Sequence, residues 1–172
     1  TEATIHLYRN LLPLVESFRK IIPGFSRCTL CDSEPEIQLR ETRRIVGDYT
    51  MQTEDVVEGR FFEDTIAVGG YFLDIHSSTD SSGIWKLLEN PYGIPYRALI
   101  PQGLDNVLVA GRCISGNKEA AASYRVMATC MAIGQAAGTA AALAVDKGGK
   151  VRDVAVPDLR AQLVADKAIL EV

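Results

Sequence analysis

Twenty consecutive residues, Val126 to Val145, carry no charge, and this run constrains the fold more than any other feature of the chain. At 1.5 Å per residue a helix of that length reaches across a bilayer core, so it either spans a membrane or packs inside a globular domain. Composition argues for the second. Eight of the twenty residues are Ala, and only Val126, Met127, Met131, Ile133, Leu143 and Val145 are large and apolar. Membrane insertion is driven by Leu, Ile, Phe and Val, which are scarce here. Gly134 and Gly138 stand four apart, and Ala137 and Ala141 continue their side. A helix face without side chains lets a sheet or a cofactor come close. That approach would offset the roughly 1 kcal/mol each that two helical glycines cost relative to Ala. A helix packed on a sheet with no ligand would satisfy the same pattern.

The residues around this run extend the reading. Val107 to Ala110 is a continuous apolar run, as expected for a strand buried on both faces, and Gly111 turns the chain after it. Gly148-Gly149 ends the long helix, and Pro157 starts a last helix to about Leu170. At the other end, Thr1 to Ile22 has a helical apolar period that Pro13 should kink or divide and Pro23-Gly24 should end. Phe25 to Cys31 reads as a short strand, and Ile37 to Thr50 as a strand bending at Gly47-Asp48. Thr53 caps a short helix, with Glu54 and Asp55 at its positive start. Thr65 to Val68 and Tyr71 to His76 read as a hairpin around Gly69-Gly70. Ser77 to Gly83 is a loop, and Tyr92 to Ile100 is extended.

With 172 residues the chain is long enough for a substantial core. Its net charge of -4 and pI of about 5.2 disfavour a nucleic-acid surface, which should be basic. Four cysteines do not make a disulfide scaffold at this length, so reduced thiols and a cytoplasmic setting are expected. Cys28 and Cys31 form a C-x-x-C, but no second closely spaced Cys/His pair completes a metal site, and none is expected. Cys113 and Cys130 read as small core residues. The signatures of serine hydrolases, phosphate-binding loops and zinc proteases are absent.

Two candidate catalytic residues emerge. His76 follows Asp74 at the end of an apparent strand, and a histidine beside a redox centre can move a proton. A hairpin-end surface histidine fits the same position. Arg43, with Arg40 and Arg44, offers guanidinium forks suited to carboxylate or phosphate groups. A salt-bridged strand face with Glu41 fits equally well.

The segment from Val107 to Ser115, followed by Ser123-Tyr-Arg125-Val-Met127-Ala-Thr129-Cys130-Met131-Ala-Ile-Gly134-Gln135-Ala-Ala-Gly138, closely resembles the C-terminal part of FAD-dependent oxidoreductases. The type is the two-domain flavoprotein related to glutathione reductase. Arg40 to Tyr49, Tyr71 to His76 and Ile94 to Pro101 resemble motifs of the same family. The resemblance implies an α/β fold (α+β for this chain by itself), with a mixed or antiparallel substrate-domain sheet plus the closing strand and long helix of an FAD-binding domain. It assigns residues 1–100 to the substrate domain and 101–172 to the FAD domain. It places Gly111, Arg112, Arg125, Val126, Met127, Ala128 and Gly134 near FAD, although Arg112 stands where many flavoproteins carry an acid.

The family's G-x-G-x-x-G pyrophosphate fingerprint is not in this sequence. The expectation is therefore a C-terminal portion that by itself binds FAD poorly or not at all and is inactive. Its partners would be a small-molecule substrate and the missing N-terminal FAD-binding part, with neither nucleic acid nor membrane involved. A non-catalytic protein-interaction domain and a membrane-anchored protein are the other readings.

Overall fold

The computed structural model describes residues 2–33, 40–41, 43–76 and 83–172. Two compact units divide it, Thr1–Arg40 and Glu41–Val172.

The first unit is a helix and a tight return. Helix α1 (Glu2–Ile21) runs through Pro13 without interruption, so the proline does not divide it. Proline at this point removes one backbone donor, and the Ser17 hydroxyl donates to the Pro13 carbonyl at 2.9 Å. Gly24, at φ +89°, turns the chain beyond the helix, and Phe18 meets Phe25 edge to face at 6.2 Å. The strand expected over Phe25 to Cys31 does not form. Its backbone is used locally: Cys28 N–H donates to Phe25 O, and the Arg19 guanidinium takes the Cys28 carbonyl at 2.8 Å. The expected turn over Asp32 to Pro35 and the start of the next strand, residues 34–39, lie partly or wholly outside the described residues.

The second unit joins helices to two small antiparallel sheets, an α+β arrangement. Helix α2 (Thr53–Val57) is preceded by Gln52, which occupies the cap position expected for Thr53. Strand β1 (Thr65–Gly69) pairs with β4 (Tyr92–Pro95), and β2 (Leu73–His76) pairs with β3 (Gly83–Lys86). The expected β1–β2 hairpin is thus replaced by two longer-range pairings. Gly69 shows why. The ring of Tyr92 on β4 lies where a Gly69 side chain would be, 2.5 Å from an ideal Cβ, so β1 closes on β4. Tyr96–Leu99 forms a 3-10 turn instead of extending the strand. Among the described residues, the stretch from 43 to 51 makes only isolated bridges, Gly47 with Pro101 and Met51 with Gly116.

Helix α3 (Lys118–Tyr124) is capped by Asn117, whose side chain accepts from Ala120 N–H. Helix α4 (Met127–Val145) is the long apolar element, and α5 (Val156–Ala165) follows it. The fold class read from the sequence needs one correction. Val107 to Ala110, the expected closing strand buried on both faces, forms no strand, and Val107 is exposed. Among the described residues only Val109 N–H finds a backbone partner there, the Leu99 carbonyl at 2.9 Å, and no strand lies alongside to complete a ladder.

The core gathers Thr129, Ile133, Ala136, Ala140 and Ala144 of α4 against β1 and α5, where Ile66, Ala67, Leu159 and Leu163 are buried. Their spacing follows the helical period of one face. The opposite face of α4 is bare: Met127, Met131 and Val145 are 83%, 74% and 72% exposed. Gly134 and Gly138 belong to that bare face, with nothing within 4 Å of a built Cβ. Alanines, not glycines, therefore meet the sheet. With a mean hydropathy of 1.4, α4 is long and apolar enough to cross a membrane by length and composition. Segments on either side of residue 100 pack together, as in the Tyr96 hydroxyl donating to Val151 O at 2.9 Å.

Candidate functional site

The chain returns from Ala110 through a 3-10 turn, Gly111–Cys113, that packs against the start of α4. Gly111 has φ +72°, a left-handed conformation that residues with a Cβ adopt at a cost. The nearest atom to a built Gly111 Cβ is Cys130 Sγ at 3.9 Å, so the glycine is required by backbone conformation and not by crowding.

Val126 caps α4 without a side-chain hydrogen bond, and the first turn holds no acid. The helix ladder begins with Cys130 N–H on Val126 O at 2.9 Å. The amides of Met127, Ala128 and Thr129 precede that bond and have no intrahelical acceptor. Met127 and Ala128 are exposed. A left-handed glycine turn thus lies beside the open, positive end of a five-turn helix, an arrangement that favours an anionic or electron-rich group.

Two thiols border this surface. Cys113 is exposed, contrary to its reading as a core residue, and Cys130 is half-buried. Burial pushes the Cys130 thiol up, while Arg112 pulls it down and Cys113 adds to the rise. Cys130 Sγ donates to the Tyr124 carbonyl at 3.7 Å. The loop behind is held by Tyr124 O–H on Ile114 O at 3.2 Å and by Arg44 Nε on Gly116 O at 3.0 Å.

The sequence-derived residues distribute unevenly. Gly111, Arg112, Val126, Met127 and Ala128 belong to the turn and the adjoining helix start, and Gly134 lies two turns along the bare face of α4. The Arg125 guanidinium is directed to β2: it donates to the backbone carbonyl of Asp74 at 2.9 Å and to its carboxylate at 3.0 Å. His76 lies at the end of β2 opposite Gly83. Arg43 is exposed in the extended stretch before Gly47. Cys28 and Cys31 belong to the first unit, where their thiols face the Val15 and Thr29 carbonyls. Among the described residues no group of three His, Cys, Asp or Glu side chains gathers as a metal site would require. The Asp74 partner of Arg125, 51 residues away, was not legible from spacing.

The Gly111–Cys113 turn and the α4 start, which has no side-chain cap, lie side by side. A family model described as FAD dependent oxidoreductase matches residues 1–163, and the chain belongs to that family. Flavin-dependent redox function in general follows from that membership. Neither curated proteins nor solved structures gave a match.

Proposed function

We propose that this chain is the C-terminal portion of a two-domain flavoprotein of the glutathione-reductase type. Residues 101–172 contribute to its FAD domain and residues 1–100 to its substrate domain. The observation that carries the reading is the left-handed Gly111 turn beside the acid-free, uncapped start of α4. The donor set fits a flavin. The amides of Met127 to Thr129 would meet its electron-rich, carbonyl-bearing edge, and Gly111 would bring backbone close without a side chain in the way. Arg112 adds positive charge, and Gly134 leaves the helix flank smooth. Arg125 stands at the same junction.

When bound, FAD supplies the hydride acceptor and donor for an unidentified small molecule. On the substrate side His76 is assigned to carry a proton on its imidazole, and Arg43 to meet a carboxylate or phosphate. A dinucleotide-binding part carrying the glycine fingerprint would complete the site. The exposed apolar face of α4 supports a role for such a partner, since Met127, Met131 and Val145 are left in solvent. A cytoplasmic setting, without nucleic acid or membrane, accompanies this reading.

Titration of the chain with FAD, followed by quenching of flavin fluorescence, tests it. Weak, saturable binding is expected. Gly111→Val should weaken it about tenfold, because a branched residue at positive φ costs about 1–2 kcal/mol or displaces the turn. Absence of binding, or unchanged affinity in a folded Gly111→Val variant, would overturn the proposal.

A further inference from the structure

Of the described ion pairs, Arg125–Asp74 alone has both side chains nearly out of solvent, at 9% and 14% exposure. In Arg60–Asp55 and Arg97–Asp64 one partner is about half exposed. Withdrawing two charges from water is costly, and the cost is recovered only with good geometry and further hydrogen bonds. Arg125 has both. Its guanidinium spans the Asp74 carboxylate and carbonyl, and its Nε reaches back to Ala122 O at 3.4 Å. The residue ends α3 and immediately precedes the cap of α4. Two residues earlier, the Ser123 hydroxyl donates to the Tyr71 carbonyl just ahead of β2 and contacts Tyr92 O–H at 2.8 Å. The α3–α4 junction is therefore stitched to β2 at two successive points.

We propose that Arg125 is a positioning residue that fixes the start of α4 relative to β2, and so sets the cofactor-facing amides against the strand that carries His76. The proposal rests on the flavin reading for its purpose but not for its mechanics. Arg125 touches β2 through both ends of one residue, so it holds the strand in translation as well as in charge. A cofactor ligand at this position would instead turn its guanidinium away from Asp74.

Amide hydrogen exchange in the full chain without FAD tests the mechanics. Arg125→Met should raise exchange about tenfold or more, together, at Leu73–Ile75 and at Cys130–Met131, leaving α5 unchanged. Asp74→Asn keeps the backbone carbonyl contact and should show a smaller joint rise. Arg125→Lys, which retains one charged donor, should recover most of the protection. Acceleration at only one of the two segments, or uniformly across the unit, would overturn the proposal.

FAD affinity supplies the second readout. Arg125→Met should weaken it about tenfold, with Arg125→Lys within about threefold of the parent. Leu163→Ala, a core change in α5 of comparable stability cost, should leave affinity unchanged. Equal affinity in Arg125→Met, or an equal loss in Leu163→Ala, would also overturn it. If the parent chain binds no FAD the flavin reading falls, and the exchange experiment still decides the stitch.

Discussion

Asp55 has no solvent exposure, and three donors converge on its carboxylate: Tyr49 O–H at 2.6 Å, the Arg60 guanidinium at 2.7 Å and Gln52 N–H at 2.9 Å. The sequence marks Asp55 only as an acid favoured at a helix start; its partners depend on how the chain folds back around α2. The arrangement reaches the phenol. Burial first, then the hydrogen bond to Asp55, pushes Tyr49 up to about 12, and burial pushes Tyr96 to about 12. An unfolded tyrosine titrates near 10, so above that pH the folded state holds protons that the unfolded chain has lost. The stability these neutral phenols contribute is complete below pH 10 and is lost as pH rises through 12. Urea midpoints should fall between pH 10 and 12. Tyr96→Phe removes one titration and the bond to Val151 O, so it should lower the midpoint while making that fall shallower. An unchanged slope would contradict this assignment.

At the scale of elements, α4 was the part most legible in the sequence, because an uncharged run of helical length between Arg125 and Asp146, followed by Gly148-Gly149, leaves few alternatives. Which face it buries was not legible. Small residues lie on both sides, and the glycine side, expected to approach a sheet or a cofactor, is the exposed one. Ile133→Ala should therefore cost about 2–5 kcal/mol by leaving a cavity, whereas Met131→Ala should change stability by less than about 0.5 kcal/mol. Denaturant unfolding of the two variants distinguishes the faces, and the reverse order would place the core on the wrong side of the helix. Strand existence was readable for β1 and β2, but their pairing was not. Gly69-Gly70 is a good turn signal, and the Tyr92 ring, 23 residues on, decides the register instead. Val107 to Ala110 fails as a strand for a related reason: β-rich composition supplies side chains, and a ladder still requires a neighbour.

Across the whole molecule, the family was legible because its motif runs from Val107 to Gly138 in unbroken order, and the family match over residues 1–163 agrees with it. The Gly111 turn and the α4 start belong to that one motif, with only the short α3 between them, so their juxtaposition could be read from it. Residues contributed by distant elements could not be placed that way. Arg125 meets Asp74 across 51 residues, and the resemblance alone had assigned it to the cofactor. In the proposed flavoprotein the cofactor is met by the Gly111–Cys113 turn and the first turn of α4. Backbone amide chemical shifts of the isotopically labelled chain, recorded as FAD is added, test it most directly. The predicted result is a set of saturable changes concentrated at Gly111–Cys113 and Val126–Thr129. Changes absent there, or centred instead on the aromatic cluster of Tyr71, Phe72 and Trp85, would contradict it.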